Sequence, residues 1–163
     1  MFYLLLKFET LSLGTIKSYA ILLWMIREKK RVETEHKKEW ILVAEEDASI
    51  RKLLFQVLSK MGYYVTLVAT GEEGLECFHE KAYSLVLTEA AMPGMDGLTF
   101  ARRIKERSPR TPVCLLTSWE QQEADSAIKE GSVDVVLCKP FGLYEIRETV
   151  ERLIKIHKSR DFQ

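Results

Sequence analysis

Four short apolar runs constrain the fold of this 163-residue chain more than any other feature. They are Ile41-Leu42-Val43-Ala44, Leu85-Val86-Leu87-Thr88, Val113-Cys114-Leu115-Leu116, and Val133 to Cys138 with Asp134 inside. Each is too short for a helix and rich in β-branched or aliphatic residues, without polar alternation. Such runs suit strands buried on both faces of a parallel sheet. Tyr63–Ala69 is more mixed in polarity and predicts a fifth strand nearer an edge. Between the strands the period becomes helical. Ile50, Leu53, Leu54, Val57, Leu58 and Met61 recur at helical spacing, and Gly62 ends the turn. Glu72–Glu80 predicts a second helix with Leu75 and Phe78 inward. Asp96 is placed to N-cap a third carrying Leu98, Ala101 and Ile104, with Pro109 and Pro112 at its exit. Trp119–Glu130 predicts a fourth, and Leu143, Ile146, Val150, Leu153, Ile154 and His157 give a fifth its buried face. Strict β/α alternation predicts an α/β fold, one parallel sheet joined by right-handed crossovers and covered by helices on both sides.

The composition, 47% hydrophobic and 29% charged, suits one soluble globular domain and excludes disorder. Lys+Arg 24 balances Asp+Glu 24, which argues against a dedicated nucleic-acid binder. Cys77, Cys114 and Cys138 form no CxxC, and His36, His79 and His157 are scattered, so neither a disulfide scaffold nor a zinc site is expected. Packing for the cysteines and surface positions for the histidines are the simplest expectations. Arg102, Arg103, Lys105, Arg107 and Arg110 read as a solvated helix face.

The segment before Trp40 differs in character. Residues 1–26 are apolar but interrupted by Lys7, Glu9 and Lys17, and Ser18–Ile26 is well short of the ~20 residues a spanning helix needs. The following Arg27-Glu28-Lys29-Lys30-Arg31 resembles the cytoplasmic flank of a membrane segment. Three alternatives stay open for it: an interfacial anchor in which residues 1–31 touch a membrane, a helical extension, or an upstream leader with Met25 as the true start. The domain organisation expected is therefore an extension over 1–39, a domain over 40–158 and a tail over 159–163, with no further domain after it.

In an open α/β sheet, ligands bind beyond the carboxyl ends of the strands. The first polar residues there are Glu45, Glu46 and Asp47 after strand one, Glu89 at strand three, Thr117-Ser118 at strand four and Lys139-Pro140 at strand five. Clustered carboxylates suggest a hard divalent ion such as Mg²⁺. A lysine and a threonine hydroxyl opposite them are suited to phosphoryl oxygens.

The stretches ILVAEEDASIR, LVLTEAAMPGMDGLTFARRI, PVCLLTS and VVLCKPF, with MPGMDG and KPF at this separation, resemble a response-regulator receiver domain of two-component signalling over residues 40 to about 158. The resemblance implies a flavodoxin-like (βα)₅ doubly wound sheet of order 2-1-3-4-5. It also implies phosphoryl transfer from a histidine kinase to an aspartate with Mg²⁺, and a shape change on the face of the fourth helix, fifth strand and fifth helix. Carried over, Glu45 and Glu46 take the acidic metal-holding pair, Ala91 the metal-facing carbonyl, Thr117 the switch hydroxyl and Lys139 the invariant lysine before a cis proline. Asp47 is a helix cap first and a fallback ligand second. Val136 replaces the switch aromatic.

Glu89 stands where the phosphoacceptor aspartate is expected. Its added methylene displaces the carboxylate on the ~1 Å scale that can cost ~10²-fold in a positioned reaction. Glu46 lengthens a metal ligand as well, and Mg²⁺ demands near-ideal octahedral geometry. The longer Glu89 is expected to reach towards Lys139 and Thr117, imitating an acyl phosphate in length but with one negative charge rather than about two. The expectation is a cytoplasmic, non-enzymatic pseudo-receiver with weak or absent Mg²⁺. It would dock on protein partners, a kinase or signalling effector, by the face named above, and not on nucleic acid. Two alternatives remain: a slow Mg²⁺-dependent phosphoacceptor, and a small flavodoxin-like hydrolase or nucleotide binder, against which no GxGxxG or Walker loop appears.

Overall fold

The computed structural model describes residues 39–118 and 121–161. The expectations for residues 1–38 and for Trp119 lie outside them. The elements run β1 (Trp40–Ala44), α1 (Ala48–Lys60), β2 (Tyr64–Val68), α2 (Gly71–Glu80), β3 (Leu85–Glu89), α3 (Gly97–Arg107), β4 (Val113–Thr117), α4 (Gln121–Lys129), β5 (Val135–Cys138) and α5 (Leu143–Asp161). All strands pair in parallel in the order β2-β1-β3-β4-β5, the flavodoxin-like arrangement.

Alternation along the strands builds two cores. Leu42, Ala44, Val86 and Leu115 face one side, where they pack with Leu75, Phe100 and Ile104 of α2 and α3. Ile41, Val43, Leu85, Leu87 and Leu116 face the other, against Leu54 and Leu58 of α1 and Ile146, Val150 and Leu153 of α5. Every residue of β3 and β4 is buried, as the unalternating runs predict. Each fully buried Leu or Ile contributes about 1.5–3 kcal/mol over an exposed one.

Departures from the sequence expectations lie at the margins. The last strand begins at Val135, not Val133, and is only partly buried because it is the edge. Asp134, just before it, is tied to the start of β4 from both its groups: its amide donates to the Val113 carbonyl at 2.9 Å, and its carboxylate accepts the Val113 amide at 2.8 Å and the Lys105 ammonium at 2.5 Å. Leu143, expected on the buried face of α5, is 57% exposed, and Leu53 of α1 is 46% exposed. Both sit at the rim of their helix's apolar stripe, where Lys60 and Arg147 share a groove with them. Cys114 is buried and Cys77 half-buried, but Cys138 is exposed at the open end of β5. The basic face of α3 is solvated as expected at Arg102, Arg103, Arg107 and Arg110, and only Lys105 is half-buried, paired with Asp134.

Chain direction is set by local chemistry. Gly62, at φ 93°, closes α1 in a left-handed conformation that costs a glycine little. Asp47, Thr70 and Asp96 cap α1, α2 and α3 with side-chain oxygens, satisfying amides that the first helical turn leaves unpaired. Among the described residues no helix is long and apolar enough to cross a membrane.

Candidate functional site

The parallel sheet sends the carboxyl ends of β1, β3, β4 and β5 to one rim, and the register aligns them. Ala44 pairs with Thr88, Glu89 with Leu116 and Thr117 with Cys138. Glu45 therefore leaves β1 beside the end of β3, while Lys139 follows β5 across the end of β4. The Lys139 amide donates to the Thr117 carbonyl at 2.6 Å, and the Lys139–Pro140 bond is cis, as the resemblance implied.

Lys139 is the centre of the mouth. Its ammonium donates to Glu45 Oε2 at 3.1 Å and to Glu89 Oε2. Glu89 is 6% exposed, and its other oxygen, Oε1, accepts the Ala90 amide at 2.9 Å and the Ala91 amide at 3.3 Å. Glu45 is fully buried, and its Oε1 accepts the Asp47 amide at 3.2 Å. Both buried carboxylates thus have donors on both oxygens. Thr117 is buried on the same rim. Glu46 is exposed beside this group, and one carboxylate oxygen from each of Glu45, Glu46 and Glu89 lies within 4.8 Å of the others.

The electrostatics follow from this packing. Burial pushes the Glu45 carboxyl above the usual range, partly opposed by the Asp47 amide and by Lys139. Burial pulls Lys139 down, but hydrogen bonds to Glu89 and Glu45 outweigh it and leave the ammonium held more firmly than an ordinary lysine. Asp47 is shifted down by the Ile50 and Ser49 amides, the state of a helix cap. Its carboxylate accepts Ser49 at 2.7 Å and Ile50 at 3.0 Å, so capping is its work in this structure.

The structure therefore brings together Glu45, Glu46, Glu89 and Lys139, and places Thr117 and Ala91 on the same rim. Two further residues shape the mouth. The Arg51 guanidinium donates to the carbonyls of Glu45 at 2.6 Å and Glu46 at 2.9 Å, pinning the turn that presents both carboxylates. Gly97, the first residue of α3, donates its amide to Ala90 at 2.8 Å, and a Cβ there would stand 1.9 Å from the Glu89 carbonyl oxygen. Both lie inside the motifs ILVAEEDASIR and MPGMDG. Their partners are backbone atoms, which leave no mark of their own in a sequence.

A hard divalent ion fits the chemistry of this donor set. Carboxylate oxygens of Glu45, Glu46 and Glu89 converge, and these are the groups that would hold it. One oxygen of Glu45 and one of Glu89, however, are engaged by Lys139.

Residues 41–151 match the sequence profile of the response regulator receiver domain. The chain is 36% identical over 121 residues to the DNA-binding transcriptional regulator NtrC of Escherichia coli strain K12, covering 74% of this chain and 26% of that protein. It thus spans about a quarter of the length of that relative. It is 33% identical over 114 residues to the response regulator receiver protein CpdR of Brucella abortus strain 2308, covering 70% of this chain and 95% of that protein. Among solved structures it is similar to response regulator protein TrrA of Thermotoga maritima in complex with Mg²⁺-BeF, at TM-score 0.65 and 31% identity, covering 71% of this chain and 98% of that one. The signal receiver domain of an HD domain-containing protein from Pseudomonas fluorescens Pf-5 aligns at TM-score 0.72 and 25% identity, covering 78% and 94%.

Proposed function

The chain belongs to the response regulator receiver family, and from that premise we propose that it is a degenerate receiver whose docking surface is set without phosphorylation. One observation carries this above the others: the carboxylate of Glu89 already takes the Lys139 ammonium and the Ala90 and Ala91 amides. These are donors suited to the oxygens of a transferred phosphoryl group, since phosphoryl transfer is catalysed by positioned charge and hydrogen bonds. An aspartate at residue 89 would be one carbon shorter. Glu89 reaches them itself and turns its nucleophilic oxygens into acceptors.

In-line attack needs a carboxylate oxygen aimed at an incoming phosphorus, with the donors left for the phosphoryl oxygens. Both oxygens of Glu89 are instead directed at protein donors. Glu45, Glu46 and the Ala91 carbonyl would hold Mg²⁺, which when bound would supply positive charge beside a phosphoryl group. Lys139 and Thr117 keep the phosphoryl-facing and switch positions. Output then runs through α4–β5–α5, where Ile128, Leu143 and Tyr144 are exposed, towards a protein partner of the kind receivers engage, a histidine kinase or an effector, in the cytoplasm. Val136 stands where an aromatic switch would, so that position carries no rotating ring. No role in binding nucleic acid is assigned to it.

The domain limits proposed are 40–158, with 1–39 as an extension. The test is intact-mass spectrometry after incubation with acetyl phosphate and Mg²⁺. The parent is expected to gain no phosphoryl group, and the Glu46→Asp/Glu89→Asp double variant to gain one. Stable labelling of the parent at residue 89, at a rate comparable with the double variant, would favour the second reading, a slow but working phosphoacceptor with its metal on the converging carboxylates.

A further inference from the structure

Parallel strands need crossovers, so each helix runs back against the sheet. The last turns of the helices and the loops after them therefore gather at the amino ends of the strands, opposite the acidic rim. Two contacts show this convergence. Lys158, near the end of α5, pairs at 3.3 Å with Glu39, just before β1, and Lys105 of α3 donates at 2.9 Å to the Thr111 carbonyl, just before β4. Exposed cations collect here: Lys60 closes α1, Arg107 closes α3, Lys129 closes α4, and Arg110 lies in the loop before β4. Several acids of this end are engaged within the fold. Glu39 is held by Lys158 and the Ser84 hydroxyl, Glu130 by Arg102 and Asp134 by Lys105. Glu80 and Glu106 stay exposed and offset part of the charge. Basic residues in a last turn complement the helix dipole, but that reason stops at the helix end and does not reach Arg110.

Aromatic side chains mark the same end. Trp40 and Tyr64 open β1 and β2, and their rings stack with centroids 4.9 Å apart. The Lys81 ammonium lies 3.1 Å from the Trp40 ring centre, and Tyr64 is 51% exposed. Trp, Tyr and long cationic side chains, apolar in the body and polar at the tip, suit a membrane–water interface. The chain also enters here, because Glu39 leads into β1. Its upstream sequence is apolar over 1–26 and basic over most of Arg27 to Arg31.

We propose that the amino end of the sheet is a docking face for an anionic lipid bilayer. It supplies a basic patch beside an apolar segment, the second of the two weak signals that stable attachment requires. The acidic rim at the opposite end then faces away from the lipid, which would repel its carboxylates, and stays open to protein partners. The inference holds whether or not Glu89 accepts phosphate.

The test is cosedimentation of the full chain, at low salt, with vesicles of phosphatidylcholine alone or mixed one-to-one with phosphatidylserine. Each basic residue near an anionic surface strengthens binding about fivefold. The parent is expected to prefer the mixed vesicles by about tenfold or more. Lys60→Gln/Arg107→Gln should lose about tenfold or more on them, and Lys52→Gln/Arg147→Gln, which removes equal charge from the early turns of α1 and α5, less than about threefold. All four side chains are exposed, so both variants should melt with the parent. Lysine acetylation with mixed vesicles bound should slow at Lys60 and Lys129 and not at Lys52. Equal binding of the parent to both vesicles overturns the proposal, as does equal loss in the two variants or protection of Lys52 together with Lys60. Binding to a DNA duplex that falls in Lys60→Gln/Arg107→Gln while vesicle binding holds also overturns it, and assigns the face to a nucleic acid.

Discussion

Replacing Gly97 by alanine should cost more stability than the same change at Gly74 or Gly142, and the reason is the site itself. An ideal Cβ at residue 97 lies 1.9 Å from the Glu89 carbonyl oxygen, 2.8 Å from its carbonyl carbon and 3.0 Å from Ala90 Cα. A close carbon–oxygen contact needs about 3.3 Å, so the two must separate by about 1.4 Å. The neighbour is main chain at the end of β3, which cannot swing aside as a side chain does. Overpacking typically costs about 1–3 kcal/mol, occasionally more, and a rigid backbone neighbour belongs at the upper end. We expect about 3 kcal/mol from urea denaturation of the full chain followed by circular dichroism. Gly74→Ala meets the Phe100 ring at 2.7 Å; a ring can tilt, so about 1–2 kcal/mol is expected. Gly142→Ala meets only Glu145 Oε2 at 3.6 Å, an ordinary contact, and should change stability by less than about 0.5 kcal/mol. The displaced carbonyl belongs to Glu89, so the Gly97 variant should also loosen the Lys139 contact. A loss for Gly97→Ala no larger than that for Gly142→Ala would refute the reasoning.

Asp96→Ala removes the oxygen that accepts the Thr99 amide at 2.8 Å and should cost about 1 kcal/mol at neutral pH. The Thr99 amide holds the Asp96 carboxyl below its ordinary range, so this stability is present above the unfolded aspartate range and is lost as pH falls through the depressed native value. Denaturation curves for parent and variant should therefore converge at low pH; a constant gap would contradict this. Burial pushes the Cys114 thiol up to about 12, which leaves about one thiolate in ten thousand at pH 8. Iodoacetamide followed by peptide mapping should modify exposed Cys138 first and half-buried Cys77 more slowly. Cys114 should react only when the domain unfolds, and prompt labelling there would contradict the packing of β4.

Much of the fold was legible because burial on both faces leaves a direct trace. Ile41–Ala44, Leu85–Thr88 and Val113–Leu116 carry no alternation, and all are buried. The edges were less legible for a physical reason. Apolar period gives the direction of a helix face but not where its neighbours stop, so Leu53 and Leu143 count as apolar positions and still meet solvent. Val133 is buried like a strand residue, yet the pairing register with β4 starts only at Val135, and burial alone does not mark where pairing begins. Arg51 and Gly97 escaped notice because each acts on backbone carbonyls, and carbonyls are the same at every residue.

The rim divides along the same line. Reading the first polar residue after each strand finds Glu45, Glu89, Thr117 and Lys139, because a parallel sheet must bring those ends together. It cannot say whether the carboxylates turn to an ion or to the lysine, since both arrangements use the same letters. That choice is made by reach across the sheet. Lys139 leaves β5, two strands from β3 and three from β1 in the order β2-β1-β3-β4-β5. Its long stem spans β4, and glutamate at 89 comes part of the way to meet it. An aspartate there would leave a longer gap. On the proposed reading the extra methylene does two things with one atom: it closes the distance to the ammonium and it stands in the place of the incoming group. A shorter acceptor should reopen both together, so in Glu89→Asp the hold of Lys139 on the rim and the barrier to labelling should fall in the same variant.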